Sequence, residues 1–283
     1  MTVPAAPAIP TRGGPGLGRA QGRIRQAAFY LPAVIVFVAG IVAWELIVAA
    51  LGLRQFVLPR PSAILAALVD NWSGGRFPGL GVSALNTLIE ALGGLVIGTV
   101  IGVVVAFATG RFATARGVLL PIAVAANAVP IIAFAPLFNN WFGLLNPLSK
   151  MAMAAVLVFF PITANVTRGL VQVEPASVEL MRSYASSEWT ILRKLRIPNA
   201  LPYFFTALKL ATTLALIGAI IAEYFGGQNR VLGRVIVESA SALRFDVTWA
   251  AILLAAIIGI AFYLVIVVLE RLFIPWHSSL RVE

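Results

Sequence analysis

The sequence has no cysteine and a single histidine, His277, among 283 residues. The absence of cysteine excludes disulfide bonds and thiol chemistry. One histidine is too few for a histidine-based zinc site within one chain, so we expect no metal site. Charged residues are also scarce, because they make up 11% of the chain, against about 25% in an average soluble domain. Water is therefore not the main solvent of this chain.

The sequence also lacks a phosphate-binding loop of the G-x-x-x-x-G-K-[ST] type, and it contains no Gly-Lys pair. We therefore expect that the chain does not hydrolyse ATP itself. A membrane-embedded enzyme would need acids, histidines or nucleophiles clustered at the membrane interface, and the sequence offers only sparse acids. We expect no catalytic residues and no cofactor bound by this chain.

Long hydrophobic runs are the dominant feature of the sequence, in which 60% of the residues are hydrophobic. The lengths of these runs are close to the roughly 20 residues that a helix needs to cross a bilayer. The predicted fold is an all-α integral membrane protein with six transmembrane helices, at residues 31–53, 87–109, 118–138, 151–170, 201–222 and 247–269. Prolines in the third and fourth runs indicate that these spans face other helices and not lipid.

The basic residues set the predicted orientation. The formal charge of +10 does not indicate nucleic acid as a partner, because Lys and Arg are spread over short loops between apolar runs. Most of them fall on the cytoplasmic side if both termini are cytoplasmic, as the positive-inside rule requires. Lys150 is among those assigned to the outer side. We predict a flexible tail at residues 1–27, a six-span domain at 28–275 and a C-terminal tail at 276–283.

Glycines and charges inside the spans have two interpretations each. Gly94, Gly98 and Gly102 share one helix face at four-residue spacing, which favours close approach of a neighbouring helix, although membrane helices tolerate glycine generally. Glu45 and Lys209 lie where charges are costly and often functional. We expect Glu45 to find a polar partner in the bundle and Lys209 to extend its long stem to the interface.

Several polar residues and prolines in or beside the spans are candidates for a solute pathway. Such side chains can line a water-filled path, or they can join helices by hydrogen bonds. The pathway or gate candidates are Asn127, Pro130, Asn139 and Asn165, with Glu223 at the outer end of the fifth span.

A polar segment at residues 173–198 separates the fourth and fifth spans. It is too polar to enter the membrane, and it predicts two short helices. Pro175 suits the first position of one helix, and Ser187 suits the cap of the next. Pro198 is predicted to end the second helix. An amphipathic helix resting on lipid is the alternative interpretation.

This segment resembles the cytoplasmic loop of binding-protein-dependent ABC importer permeases. Their pattern is E-A-A, a Gly six residues after the Glu, and a closing I-x-L-P. Glu179 falls on the Glu, Ala185 on the Gly, and residues 195–198 on the closing motif. Leu180 and Met181 replace the two alanines of the pattern. Similar stretches extend the resemblance to residues 31–275 and look like the nitrate, sulfonate, taurine and thiamine-precursor branch.

The resemblance implies a permease of the bacterial inner membrane, in which the loop docks as a coupling helix onto a separate subunit that binds ATP and Mg. The residues carried onto this coupling role are Glu174, Ser177, Glu179, Arg182, Ser183, Ala185 and Ser186. The other implied partners are an external substrate-binding protein and a second permease copy, identical or related. A thiamine-precursor pyrimidine, riboflavin or a related heterocycle is the expected solute, with nitrate, sulfonate or taurine next. A secondary transporter is the alternative function.

Overall fold

The computed structural model describes residues 17–112, 130–228 and 230–275, together with a few positions between 114 and 122; for 17–30 it describes the backbone alone. These residues form helices, turns and loops, which confirms the all-α prediction. The helices are α1 (Leu17–Ala50), α2 (Pro61–Asp70), α3 (Leu80–Arg111), α4 (Ala135–Phe142), α5 (Pro147–Val171), α6 (Pro175–Ser183), α7 (Glu188–Ile191), α8 (Ile197–Tyr224), α9 (Leu232–Ser241) and α10 (Phe245–Phe273). A 3₁₀ turn, Ile131–Phe134, precedes α4.

The chain divides into two compact units, of which the first comprises α1, the residues that adjoin it, and Arg60–Ser62. Helix α1 begins at Leu17, so the predicted tail is helical from that residue onward. Inside this unit, Glu45 accepts hydrogen bonds from the Ser62 backbone N–H at 3.0 Å and from the Ser62 hydroxyl at 2.8 Å. Glu45 therefore has a polar partner, as predicted, but this partner is Ser62 near the start of α2 and not a residue of another membrane-spanning helix.

The second unit is organised around α5, which contacts both α3 and α8. The glycine face of α3 packs against α5, because a Cβ on Gly98 would lie 2.8 Å from Val158 Cβ and one on Gly102 would lie 2.9 Å from Ile162 Cγ2. These distances are too short for any side chain. The glycines therefore allow the two backbones to approach, and the predicted close contact is confirmed. The position of α5 also agrees with the prediction that this proline-bearing span faces helices.

Five helices among the described residues are long and apolar enough to cross a membrane. They correspond to every predicted span except the third, at 118–138, of which residues 119, 120 and 123–129 lie outside the described residues. The described end of that run departs from the prediction, because Pro130 has a non-helical ψ of 94°. The prediction of one continuous helix through residue 138 is wrong. Proline at 130 has no N–H to donate, and a separate turn and α4 follow it.

The predicted end of the second loop helix at Pro198 is also wrong. Helix α7 runs through a π turn, Leu192–Arg196, directly into α8, which contains Pro198 in its first turn. The Ile197 N–H donates to the Leu192 carbonyl, five residues back. This wider turn moves the backbone past the position where a proline ring would clash with an α-helical carbonyl, so the helix continues.

Candidate coupling loop and buried polar cluster

Helix α6 forms the first half of the loop that sequence analysis identified. It begins at Pro175, as predicted. The Ser177 hydroxyl donates to the Glu174 carboxylate at 3.0 Å, and the Ser183 hydroxyl donates to the Leu180 carbonyl at 2.7 Å. These local bonds hold both ends of a helix that contains no buried residue. The helix is thus preformed but uncovered in the single chain.

Ala185 occupies the position at which the permease loop pattern has glycine, and its backbone adopts a conformation that favours glycine. Its φ is 53°, in the left-handed region, which an L-residue other than glycine enters at a cost of about 1–2 kcal/mol. The Ala185 and Ser186 N–H groups donate to the Arg182 and Met181 carbonyls, so this residue ends α6 and reverses the chain. The sharp turn between α6 and α7 therefore lies at the residue that the resemblance aligned with the glycine of the loop pattern.

Helix α7 is capped and connected to α6. The Ser187 hydroxyl accepts the Thr190 N–H at 3.2 Å, which confirms the predicted cap. Arg182 of α6 pairs with Glu188 of α7 at 3.0 Å. Exposed ion pairs contribute little stability, so this pair mainly sets the angle between the two short helices.

The loop exposes two large apolar side chains outside the membrane-spanning helices. Leu180 is 59% exposed and Tyr184 is 78% exposed. Glu179 is exposed on the same short helix, whereas Ser186 is half-buried at the turn. This surface combines an acid with two large apolar groups, and an exposed apolar patch of this kind is typical of a contact with a protein or with a membrane surface.

A second polar site lies at the opposite end of the bundle, where α5 begins. Lys150 is fully buried. Its ammonium donates to Asn139 Oδ1 at 3.2 Å, to Ser149 Oγ at 2.9 Å and to the Leu144 carbonyl. The sequence did not predict that Lys150 is buried, and its assignment to the outer side stays a prediction. Helix α5 starts at Pro147, four residues before the predicted span, and this start carries Lys150 into the bundle.

Glu223 and Thr87 bind the first turn of α9. The N-cap residue of this helix, Val231, has no side-chain acceptor that can cap it. Instead, Glu223 Oε2 accepts the Gly233 N–H at 2.6 Å, and Thr87 Oγ1 accepts the Leu232 N–H at 2.9 Å. The carboxylate also suits the positive end of the helix dipole. Residues of α3 and α8 thus replace the missing cap of α9.

Glu90 completes this buried polar cluster, which we define as Thr87, Glu90, Asn139, Lys150 and Glu223. The Glu90 carboxyl lies beside that of Glu223, and Lys150 is the cation near both. Among the described residues, Oε2 of Glu90 and Oε1 of Glu223 have no hydrogen-bond donor. Two acids and one cation are held together inside the bundle, so the cluster fixes the relation between α3, α5 and α8 at this end.

The pathway candidates separate into different environments. Asn139 and Glu223 join the buried polar cluster. Asn165 donates to the Pro161 carbonyl at 2.8 Å, so its amide is bonded within its own helix. Pro130 is exposed at the 3₁₀ turn. Asn127 lies outside the described residues.

Sequence reasoning missed Glu90 and did not predict the burial of Lys150. Glu90 carried a usable signal, because it is an acid within an apolar run, where charges are rare and usually paired. Lys209 carried the same signal, but the sequence did not indicate its partner. The Lys209 ammonium binds both oxygens of Glu270, at 2.9 and 3.2 Å, and Glu270 is buried on α10. This pair joins α8 to α10.

Comparison with known proteins identifies this architecture. The profile of a family described as binding-protein-dependent transport system inner membrane component matches residues 98–278, which is more than half of the chain. A "Probable ABC transporter permease protein" of Haemophilus influenzae is 30% identical over 236 residues, covering 82% of this chain and 91% of that protein. The formylaminopyrimidine transport permease protein ThiX of Halalkalibacterium halodurans is 29% identical over 249 residues, covering 88% of this chain and 97% of that protein.

Further relatives at 26–29% identity carry names for riboflavin, aliphatic sulfonate, taurine and nitrate transport. Among solved structures, an inward-facing MetNI methionine ABC transporter chain matches with a TM-score of 0.50 at 17% identity, covering 72% of this chain and 97% of that one. At this identity the structural match describes the fold alone.

Proposed function

Because this chain belongs to the family of binding-protein-dependent transport system inner membrane components, we propose that it forms the pathway through which a small solute crosses the membrane after delivery by an external binding protein. The chain is a multi-pass inner membrane protein and an ABC importer permease. It contributes the membrane-spanning part of the proposed transport system, and the remaining subunits are partners that it must bind.

The observation that carries the proposal is the loop built by α6 and α7. It is preformed by local hydrogen bonds, it turns at Ala185, and it exposes Leu180 and Tyr184. Helix α7 continues without a break into α8. A movement of the loop is therefore passed directly to a membrane-spanning helix, as a rigid-body transmission requires.

The loop residues divide into a docking surface and its supports. Glu179 and Ala185 lie at the centre of the proposed contact. Ser177, Ser183 and Glu174 hold the ends of α6, and Arg182 fixes α7. Ser186 donates its backbone N–H at the turn. A separate ATP-binding subunit would cover this surface.

In the proposed complex, ATP and Mg bind to the ATP-binding subunit, and this chain binds no cofactor of its own. The permease works as a dimer, which we propose to consist of two identical chains. An external binding protein docks on the opposite face, and this chain contributes translocation and not catalysis.

For the solute we propose a thiamine-precursor pyrimidine, riboflavin or a related heterocycle. The formylaminopyrimidine relative, whose alignment spans 97% of that protein, supports this choice. Nitrate, sulfonates and taurine are the next candidates, because relatives with those names have similar identities. A ligand screen on the cognate external binding protein decides between these classes.

A secondary transporter is the second candidate function, and the buried Glu90, Lys150 and Glu223 are the observation in its favour. Secondary transporters place titratable groups of this kind within the membrane. In this chain the ammonium already has three protein acceptors, and Glu223 binds the start of α9. Those contacts describe a structural joint, so the ATP-driven importer is the better account.

A docking experiment tests the proposal. The full chain is co-expressed with the ATP-binding subunit from the same genome, and the amount of that subunit retained is measured in mild detergent. Leu180→Asp places a charge on the exposed face of α6, and we expect retention to fall about tenfold or more, as for an interface hot spot.

Leu145→Asp is the matched control, because Leu145 is 63% exposed in the turn before α5, at the other end of the bundle. This variant is expected to retain the subunit as the wild type does. Equal retention by all three proteins would contradict the assignment of α6 to docking.

A further inference from the structure

Two adjoining cavities run along one side of the second unit. The first is an apolar groove of about 410 Å³ between α3, α5 and α8, lined among others by Val103, Phe107, Leu170 and Ile197. The second is a pocket of about 390 Å³ at the end of α3, lined among others by Phe107, Arg111, Leu170 and Arg196. Phe107 and Leu170 belong to both linings, so the groove and the pocket meet at these two side chains.

The lining changes from apolar in the groove to basic in the pocket along the axis of α3. The groove starts at Thr99 and reaches Phe107 on α3, a length of about 12 Å at 1.5 Å per residue. The pocket continues to Gly110 and Arg111, where α3 ends. The apolar part therefore lies deeper in the membrane-spanning bundle, and the basic part lies at the level of the coupling loop.

The charge in the pocket is positive. Glu188 is its one acidic lining residue, and that carboxylate already pairs with Arg182. Among the described residues, neither Arg111 nor Arg196 forms an ion pair with a carboxylate. Arg196 donates instead to the Gly110 carbonyl at 3.4 Å, which holds its guanidinium over the end of α3. Trp189 also lines the pocket, and tryptophan is enriched at membrane–water interfaces.

We propose that the groove and pocket together bind one anionic phospholipid of the cytoplasmic leaflet, with its phosphate between Arg111 and Arg196 and an acyl chain along α3 and α8. An apolar slot that leads into a basic, tryptophan-bearing pocket matches a lipid in both shape and charge, and basic pockets between helices on this side of a membrane recognise anionic headgroups. The inference rests on the proposed function for its sidedness.

This site has a mechanical consequence. Arg196 ends the π turn, and Trp189 belongs to α7, so both lie on the connection between the coupling loop and α8. Arg111 lies on α3, and Arg196 lies in the π turn directly before α8. A lipid phosphate bound to both guanidinium groups would therefore join α3 to the start of α8, at the base of the loop. Bound lipid is therefore expected to strengthen the attachment of the loop to the bundle.

Native mass spectrometry of the purified full chain tests the site. The chain is titrated with phosphatidylglycerol, with phosphatidylcholine of the same acyl chains, or with glycerol phosphate as the soluble headgroup. We expect phosphatidylglycerol to bind more tightly than phosphatidylcholine, and we expect Arg111→Gln with Arg196→Gln to weaken it about 25-fold, from about fivefold for each charge.

Three further variants separate charge, shape and location. Arg111→Lys with Arg196→Lys keeps the charge and is expected to retain most of the preference. Val104→Trp obstructs the groove without changing any charge and is expected to weaken both lipids. Arg193→Gln removes an exposed charge from the same π turn, outside the cavity lining, and is expected to change nothing.

Two results would overturn the inference. One is an unchanged preference for phosphatidylglycerol in the double glutamine variant. The other is glycerol phosphate binding as tightly as the intact lipid, since that would describe a soluble-anion site. The lipid titration uses the isolated chain, whereas the docking experiment uses the co-expressed ATP-binding subunit. A negative lipid result would therefore contradict the lipid site without contradicting the proposed function.

Discussion

Glu223 at the end of α8 binds the Gly233 N–H at the start of α9, with 2.6 Å between the carboxylate oxygen and the nitrogen. The two residues are ten positions apart, and the loop between them returns the chain into the bundle. The bond sets where α9 begins relative to α8. Because Thr87 of α3 binds the adjacent N–H, α9 is held at once by two membrane-spanning helices.

Replacing Glu223 by Ala is expected to destabilise the protein, whereas Glu223→Gln should keep most of its stability. Alanine leaves the Gly233 N–H unsatisfied, and losing a helix cap costs about 0.5–2 kcal/mol. Glutamine retains an acceptor oxygen of the same reach. Thermal unfolding in detergent measures both variants, and Thr87→Val, which removes the neighbouring cap alone, serves as the comparison. Equal melting of the Ala and Gln variants would contradict the capping role.

Lys150→Met is expected to be among the most damaging single changes in the chain. It removes the one cation that the described residues place beside Glu90 and Glu223, and deleting one partner of a buried charged group costs about 3–5 kcal/mol. Adding Glu90→Gln to Lys150→Met removes one of the two stranded acids and should recover part of the loss. The midpoint of unfolding reports both. A double variant no more stable than Lys150→Met would show that the charges are not energetically coupled.

Gly98→Val is expected to separate α3 from α5. Its side chain would meet Val158 Cβ, 2.8 Å from the position of the first added carbon, and such overpacking costs about 1–3 kcal/mol or more. Gly40→Ala is the control, since nothing lies within 4 Å of its Cβ position and alanine favours helix. Folded yield and melting temperature check the pair. Wild-type stability of Gly98→Val would contradict the close packing of these helices.

Ala185→Gly is expected to stabilise the loop, because glycine has no steric penalty at a φ of 53°. The gain should be about 1 kcal/mol at most, and coupling should be retained. Ala185→Val should do the reverse, because a β-branched residue is strained in this region. Substrate-stimulated ATP hydrolysis by the assembled complex compares the two variants. Equal activity for glycine and valine would show that this turn is not required for coupling.

Lys209 and Glu270 are expected to show a strong pairwise effect. Either Lys209→Met or Glu270→Gln strands a charge between α8 and α10, where charges cost about 2.5–3.5 kcal/mol in a membrane helix. The double variant removes both charges and should be more stable than Lys209→Met alone. A double-mutant cycle on melting temperature measures the coupling. Strict additivity would mean that the observed 2.9 Å contact contributes nothing.

The long elements were predicted well from the sequence because length and hydropathy alone decide which helices enter a membrane. The glycine face of α3 and the cap at Ser187 were also predictable, since each depends on neighbours within one element. The prediction at Pro198 failed because a local rule ends helices at proline, whereas a π turn permits the helix to continue. The exposed turn at Ala185 became predictable only through the register of the resembling motif.

The buried polar cluster was the part of the structure that the sequence predicted least well. Lys150, Glu90 and Glu223 lie far apart along the chain, and hydropathy shows that each is unusual without showing which one it meets. Their pairing depends on how α3, α5 and α8 pack. The same holds for Lys209 and Glu270, whose contact is fixed by the crossing of two helices.

Solute uptake into proteoliposomes tests the central claim most directly. The vesicles contain this chain with its ATP-binding subunit, the external binding protein is supplied outside, and labelled formylaminopyrimidine is the first solute. We predict uptake that requires ATP inside the vesicles, persists when an uncoupler collapses the proton gradient, and is lost in Leu180→Asp. Uptake by this chain alone that needs no ATP and disappears with the proton gradient would contradict the account and indicate a secondary transporter.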